Sequence, residues 1–256
     1  GERILQIRAD DSLETQRKAD GTPVTRADHA SQETILAGLA ILTPDIPVIA
    51  EEQDHKTCVD YPTYWLVDPL DGTRDFITGR NDFSVNIGLI RDGVPVAGLV
   101  YAPARDDLVF GAIGEEGFRR LQGTQTPLAP PPTRQPPRLT ISVRDSHKAP
   151  LDEWQRQGRI ENYAIHASAY KMTLVAVGEA DLFLRLSVTS EWDTAAGHAI
   201  LNAMGGRVIT PDGHDLAYGK KERRNGCLAA MRGDAEICLA DQFWPGSVSG
   251  STSNCT

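Results

Sequence analysis

Trp65-Leu-Val-Asp68-Pro69-Leu70-Asp71-Gly72-Thr73-Arg74-Asp75-Phe76 is the stretch on which the rest of the chain depends. Tyr64 to Val67 read as a short apolar strand, and Pro69, which has no N–H to donate, is expected to end its ladder. Two carboxylates, Asp68 and Asp71, stand three residues apart across the corner, with the Leu70 carbonyl between them free to turn inward. Gly72 allows a close backbone approach, and Thr73 adds a hydroxyl. Carboxylates and a carbonyl at the end of a buried strand form a hard oxygen donor set, which suits Mg²⁺ or Mn²⁺ rather than zinc. Taken alone, the same residues also make a plain turn, because Asp-Pro and Asp-Gly are common turn dipeptides.

Other stretches supply what a turn would not need. Ile46-Pro-Val-Ile-Ala50 reads as a strand that ends on Glu51-Glu52, so two strand ends carrying carboxylates can converge. Thr25 and Asp28 fit a capping box at the start of a helix over 27–42. Glu191-Trp192-Asp193-Thr194-Ala195-Ala196-Gly197-His198-Ala199 opens a helix expected over 191–204, where Asp193 reads as an N-terminal cap. His198 is expected to be packed or exposed rather than catalytic.

Asp68-Pro-Leu-Asp-Gly-Thr73 resembles the signature of the lithium-sensitive, Mg²⁺-dependent phosphomonoesterases of the inositol monophosphatase superfamily. Trp192-Asp-Thr-Ala-Ala-Gly197 resembles the second signature of that superfamily, and the likeness runs from about residue 3 to 231. Within it, Lys18-Ala-Asp-Gly-Thr-Pro-Val-Thr25 and the run from Trp65 to Tyr101 look most like the 3′(2′),5′-bisphosphate nucleotidase branch.

The resemblance implies a layered αβαβα sugar-phosphatase fold and two or three Mg²⁺ ions, with Mn²⁺ able to substitute. Glu51, Asp68 and the Leu70 carbonyl would hold one ion, and Asp68, Asp71 and Asp193 a second. Asp28, Glu51 and Thr73 would be catalytic, Asp28 by hydrogen bonding Thr73. Gly72, Thr73, Ser168, Lys171, Arg185 and Asp193 would contact substrate. Ala167 and Ala169 depart from the Gly-Ser-Ser-Leu-Lys pattern of the branch, which puts a hydroxyl or backbone contact there in question. Lys171 also reads as a surface lysine, and Arg185 as the partner of Glu191 or Asp193. The expected reaction releases the 3′-phosphate of adenosine 3′,5′-bisphosphate, with its 5′-sulfated analogue as a second substrate and Li⁺ as an inhibitor. An inositol or other sugar phosphatase is the alternative, and a non-catalytic metal- or ligand-binding regulator stands behind both.

The bulk properties agree. Of 256 residues, 40% are hydrophobic and 24% charged, which is ordinary globular usage. A net charge of −9 argues against a nucleic-acid polymer as partner and fits a small phosphorylated substrate only where cations intervene. Four cysteines, Cys58, Cys227, Cys238 and Cys255, show neither C-x-x-C nor zinc spacing, so a reduced cytoplasmic protein with packing thiols is expected. No run reaches the length of a membrane span, no signal peptide is visible, and the chain opens in what reads as a helix already under way.

Along the chain, residues 3–18 are expected as a helix, followed by a hairpin or loop at Gly21 and Pro23. Phe83–Ile90, Val94–Tyr101 and Asp107–Ile113 read as an antiparallel meander, which makes residues 1–123 an α+β domain. Residues 124–137 are proline-dense and are taken as a stiff connector. Residues 138–245 alternate strands with helices as an α/β domain, and 246–256 are Ser/Gly/Thr-rich and expected to be disordered. A homodimer is left open.

Overall fold

The computed structural model describes residues 1–10, 14–18, 21–53, 61–129 and 132–233, so the expected disordered tail lies outside the described residues. A seven-stranded sheet runs in the spatial order Val48–Ala50, Thr63–Asp71, Ser84–Arg91, Val94–Ala102, Asp107–Ala112, Phe118–Leu121 and Thr124–Pro127. The first pair is parallel and every later pair antiparallel, which is the expected meander. A five-stranded sheet follows, ordered Tyr163–His166, Leu139–Ser142, Leu182–Arg185, Leu228–Met231 and Arg207–Ile209. Its first three strands are parallel and the last two join antiparallel. Helices Leu151–Arg156, Tyr170–Ala176 and Ala195–Ala203 separate its strands in sequence, so the two halves have the expected α+β and α/β characters.

Five expectations need correction. Pro69 does not end its strand: the ladder runs to Asp71, with an irregular register between Asp68 and Asp71 that accommodates the missing N–H. The first helix spans only Glu2–Ala9, and Thr15–Arg17 pairs instead with Pro23–Thr25 as the hairpin. Residues 124–127, expected to begin the connector, are the seventh strand. The helix expected from 191 begins at Ala195, because Glu191 is engaged elsewhere in the chain. The division of the chain at the proline-rich stretch stays a proposal. Cys227 is disulfide-bonded, which corrects its reading as a packing thiol.

Helix Arg26–Leu42 is started by the predicted capping box: Thr25 Oγ1 accepts from the Ala27 amide at 3.1 Å, and Asp28 Oδ2 accepts from the Thr25 amide at 2.7 Å. Three of its side chains, spaced i, i+3, i+4 and so on one face, reach the ends of strands Val48–Ala50 and Thr63–Asp71 and the residues that follow them. Asp28 Oδ1 accepts from Thr73 Oγ1 at 3.2 Å, Ser31 Oγ donates to the Pro69 carbonyl at 2.8 Å, and Gln32 Oε1 accepts from the Glu52 amide at 3.1 Å. Behind the corner, buried Phe76 and Phe83 pack edge to face with centroids 5.3 Å apart. Such a pair is worth about 0.5–1.5 kcal/mol beyond its buried area.

Helix Ala195–Ala203 lies on the seven-stranded sheet over a row of glycines. Gly88, Gly98 and Gly111 are mutual register partners on three adjacent strands. A Cβ on Gly98 would stand 2.1 Å from the Ala196 carbonyl oxygen, one on Gly88 2.8 Å from the Ala196 nitrogen, and one on Gly111 3.0 Å from Ile200 Cα. On its other side, a Cβ on Gly197 would stand 2.6 Å from Met172 Cβ, so the helix is held close on both faces. The small residues of the Trp192–Gly197 motif are what permit this approach.

Candidate active site

A cavity of about 420 Å³ lies where the two sheets meet, and the residues singled out in the sequence converge on it. Glu51, Asp68, Asp71, Thr73, Ser168, Lys171, Arg185 and Asp193 all border it. Leu70 does too, and since its side chain is buried in the core, its backbone faces the cavity.

The carboxylates arrive from three elements. Asp68 and Asp71 come from the irregular end of strand Thr63–Asp71, Glu51 follows the parallel neighbour Val48–Ala50, and Asp193 sits in the turn before helix Ala195–Ala203. Burial, reinforced by Glu51, Asp71 and Asp193, pushes Asp68 well above the usual carboxylate range. Burial likewise raises Asp71 against the opposing effects of Lys171 and the Ala169 amide. Asp193 is pushed up to about 7 by burial and then by Asp71 and Glu51.

Among the described residues no three His, Cys, Asp or Glu side chains already stand as a closed metal cage. Several carboxylate oxygens are occupied by protein donors instead. Asp68 Oδ1 accepts from the Leu70 amide at 3.0 Å, Asp193 Oδ2 from the Ser190 amide at 2.8 Å, and Asp71 Oδ2 from the Ala169 amide. Lys18 Nζ clasps Glu51 at 2.7 Å and Glu52 at 2.5 Å. Burial alone would lower the Lys18 pKa, but the two glutamates outweigh it and raise it. The donor set fits a hard divalent cation on its chemistry: mutually repelling, water-poor carboxylates and a carbonyl face one cavity, and a cation is what relieves such repulsion.

Thr73 Oγ1 lies 3.2 Å from Asp28 Oδ1 and 3.1 Å from the Leu70 carbonyl. Asp28 is 1% exposed, and burial raises its pKa despite hydrogen bonds from Thr25. Gly72 has φ 91° and a Cβ there would be 2.7 Å from the Asp82 carbonyl oxygen, so this position requires glycine.

Cationic side chains also line the cavity. Lys171 is 3% exposed, which excludes the surface-lysine reading; its Nζ donates to the Ser168 carbonyl. Burial lowers its pKa to about 8, with Asp71 opposing. Ser168, at φ 55°, accepts from the Tyr170 amide at 3.3 Å. Arg185 pairs with Asp145 at 3.6 Å, not with Glu191 or Asp193. Glu191 is fully buried between Lys220 at 3.0 Å and Arg223 at 3.3 Å. His198 is packed, as expected, with Nδ1 3.1 Å from the Tyr218 hydroxyl. Lys18, Arg144 and Arg224 also border the cavity and were given no role from the sequence. Arg144 and Arg224 lie in unremarkable surroundings in the sequence, and only folding brings them to the rim.

Fold, carboxylate corner and hydroxyl pair together define a class. Residues 1–245 match the model of the inositol monophosphatase family, and the chain belongs to that family. Among its curated relatives is the 3′(2′),5′-bisphosphate nucleotidase CysQ of Salmonella typhimurium, 40% identical over 225 residues, covering 87% of this chain and 90% of that protein. The CysQ of Escherichia coli strain K12 is 39% identical over 226 residues, again covering 87% and 90%. The solved structure of CysQ from Bacteroides thetaiotaomicron, a bacterial member of the same family, superposes with a TM-score of 0.74 at 31% identity, over 91% of this chain and 92% of that one. Among the described residues no helix is long and apolar enough to cross a membrane.

Proposed function

We propose that the protein is a metal-dependent phosphomonoesterase that hydrolyses the 3′-phosphate of adenosine 3′,5′-bisphosphate to AMP and phosphate, with the 5′-sulfated analogue as a second substrate. The observation that carries the chemistry is the Thr73–Asp28 hydrogen bond, 3.2 Å long, at the same corner that presents Asp68 and Asp71. A mere metal-binding protein has no use for an oriented hydroxyl there. The choice of a nucleotide bisphosphate is supported by the cationic side chains of Lys171, Arg185, Arg144 and Arg224 and by the likeness to CysQ.

Glu51, Asp68 and the Leu70 carbonyl would hold one Mg²⁺, and Asp68, Asp71 and Asp193 a second, with Mn²⁺ able to substitute; a third would lie near Glu51. Bound there, the metal supplies Lewis acidity toward a phosphoryl oxygen and lowers the pKa of a water.

The chain's own residues do the rest. A hydroxyl has one proton, and when Thr73 directs it at Asp28 its lone pairs are free to accept from the attacking water. Asp28, made more basic by burial, and Glu51 draw the proton away as the water oxygen bonds to phosphorus. The bond from phosphorus to the 3′-oxygen breaks in line, and that oxygen takes a proton from solvent. The Gly72 and Thr73 amides would donate to the phosphoryl oxygens. Ser168, Lys171 and Arg185 orient the rest of the substrate, with Arg185 suited to a second phosphate because its planar fork can bind two oxygens.

The test is phosphate release by purified protein in Mg²⁺, comparing adenosine 3′,5′-bisphosphate, inositol 1-phosphate and fructose 1,6-bisphosphate, each with and without Li⁺. Preference for the nucleotide, with Li⁺ inhibition, is expected. Preference for inositol phosphate would keep the chemistry and replace the substrate. No turnover with metal bound would leave a binding protein.

A further inference from the structure

Three buried side-chain atoms without a hydrogen-bond partner belong to residues that border a second cavity, of about 140 Å³: Arg105 Nε, Thr140 Oγ1 and His166 Nδ1. Strands Leu139–Ser142 and Tyr163–His166 and helix Tyr170–Ala176 wall it. Thr140 and Ala164 are register partners, as are Ser142 and His166, so the two-residue alternation puts Thr140, Ala164 and His166 on one face of the sheet. Thr140 is 0% exposed. A buried hydroxyl left unpaired is costly, and Thr140 Oγ1 finds no partner among the described residues, so the site calls for one.

The chemistry of that partner follows from what lines the cavity. A hydroxyl, a guanidinium and an imidazole can each donate. The acids nearby are already engaged. Asp82 pairs with Arg105 and has a carboxylate oxygen 3.8 Å from His166 Nδ1. Glu179 pairs with Arg119 at 2.5 Å, and Asp181 with Arg138 at 3.0 Å and Arg232 at 3.1 Å. Donors without a free acceptor suit an anion. The cavity stands back to back with the active site across one helix: Tyr170 and Leu174 face it, while Lys171 borders the catalytic cavity.

We infer that this cavity is a second ligand site, taking a small tetrahedral oxyanion through Thr140, Arg105 and His166. Phosphate and sulfate share the required shape and acceptors, and the test separates them.

Crystals grown free of both ions would be soaked at low millimolar concentration in selenate, which stands in for sulfate, or arsenate, which stands in for phosphate. An anomalous peak against Thr140 and Arg105 is expected with at least one of them. A peak with one only assigns that ion; a peak with both assigns a general oxyanion site. In Thr140→Val, which keeps the shape and removes the hydroxyl, this peak is lost, any peak at the catalytic cavity stays, and turnover is unchanged. In solution the rise in Tm given by the matching ion, sulfate or phosphate, falls at least twofold in the variant. No peak from either soak, a peak only near molar concentration (an adventitious ion only), or an equal peak and Tm rise in Thr140→Val would each overturn the site.

Discussion

The Ala169 amide donates to Asp71 Oδ2, joining residues 98 positions apart. The bond ties the carboxylate corner of the seven-stranded sheet to the start of helix Tyr170–Ala176 in the second half. It also bears on the departures at Ala167 and Ala169, because the Ala169 contact is made by the backbone. Restoring serine at 169 is therefore expected to leave kcat within about twofold, since no hydroxyl is being replaced at that bond.

Asp71→Asn should remove turnover while keeping the fold. The side chain stays the same size and can still accept from Ala169, but one charge leaves a group of buried, mutually repelling carboxylates. A loss of about 10²–10³ in kcat is expected, of the size seen when a main electrostatic contact is removed. Metal-free Tm should hold or rise. Phosphate release and a thermal melt on the same sample check both, and a large drop in Tm would assign Asp71 to folding instead.

Thr73→Val and Asp28→Asn should behave as one unit. Each is expected to lower kcat by about 10²–10³ with little change in KM, and the double variant should be little worse than either single one. Asp28→Asn should also lose about 1 kcal/mol of stability through its weakened capping box, a cost Thr73→Val does not share. Additive losses in kcat would separate the two residues and undo the proton path.

Stability should depend on pH through His198. Burial lowers its pKa to about 4, below the unfolded value near 6.5, so the unfolded chain takes up a proton first. The contribution is complete above about pH 6.5 and is lost as pH falls toward 4, amounting to about 3 kcal/mol. Other groups also take up protons as pH falls, so the quantity to measure is the difference between wild type and His198→Asn in urea melts. That difference should be flat above pH 6.5 and move against the wild type by about 3 kcal/mol toward pH 4; a flat difference throughout would contradict it.

Gly98→Ala should be severe although the residue touches no ligand. A Cβ 2.1 Å from the Ala196 carbonyl must push helix Ala195–Ala203 off the sheet, and overpacking of this kind costs about 1–3 kcal/mol or more. Because the Asp193 turn leads into that helix, kcat should fall as well. Gly114→Ala, with nothing within 4 Å but φ 84°, is a useful contrast: it should cost stability by backbone strain and leave kcat intact.

What the sequence revealed was local. Asp68, Asp71, Gly72 and Thr73 lie within one corner, and the Thr25–Asp28 box within one turn, so spacing alone carried them. Features set by distant partners were lost. Glu191 delays its helix because Lys220 and Arg223 hold it. Residues 15–17 extend because 23–25 are there to pair with. Gly88, Gly98 and Gly111 look scattered until strand register aligns them. Lys18 sits in a recognisable loop, yet its grip on Glu51 and Glu52 needs a contact across more than 30 positions. Ser31 and Gln32 read as ordinary helix polars until the motif strands are packed against them.

The two duties of Asp28 have a consequence for how such a protein can change. One oxygen of its carboxylate starts helix Arg26–Leu42 and the other holds Thr73. On the proposed mechanism, folding and chemistry are read from the same carboxylate, and a substitution there would be felt by both. A lineage or a library exploring new substrates would be free to vary the cationic rim, where residues such as Arg144 and Arg224 are exposed, while this corner stays fixed. Substrate range can drift on this scaffold without the reaction itself being put at risk.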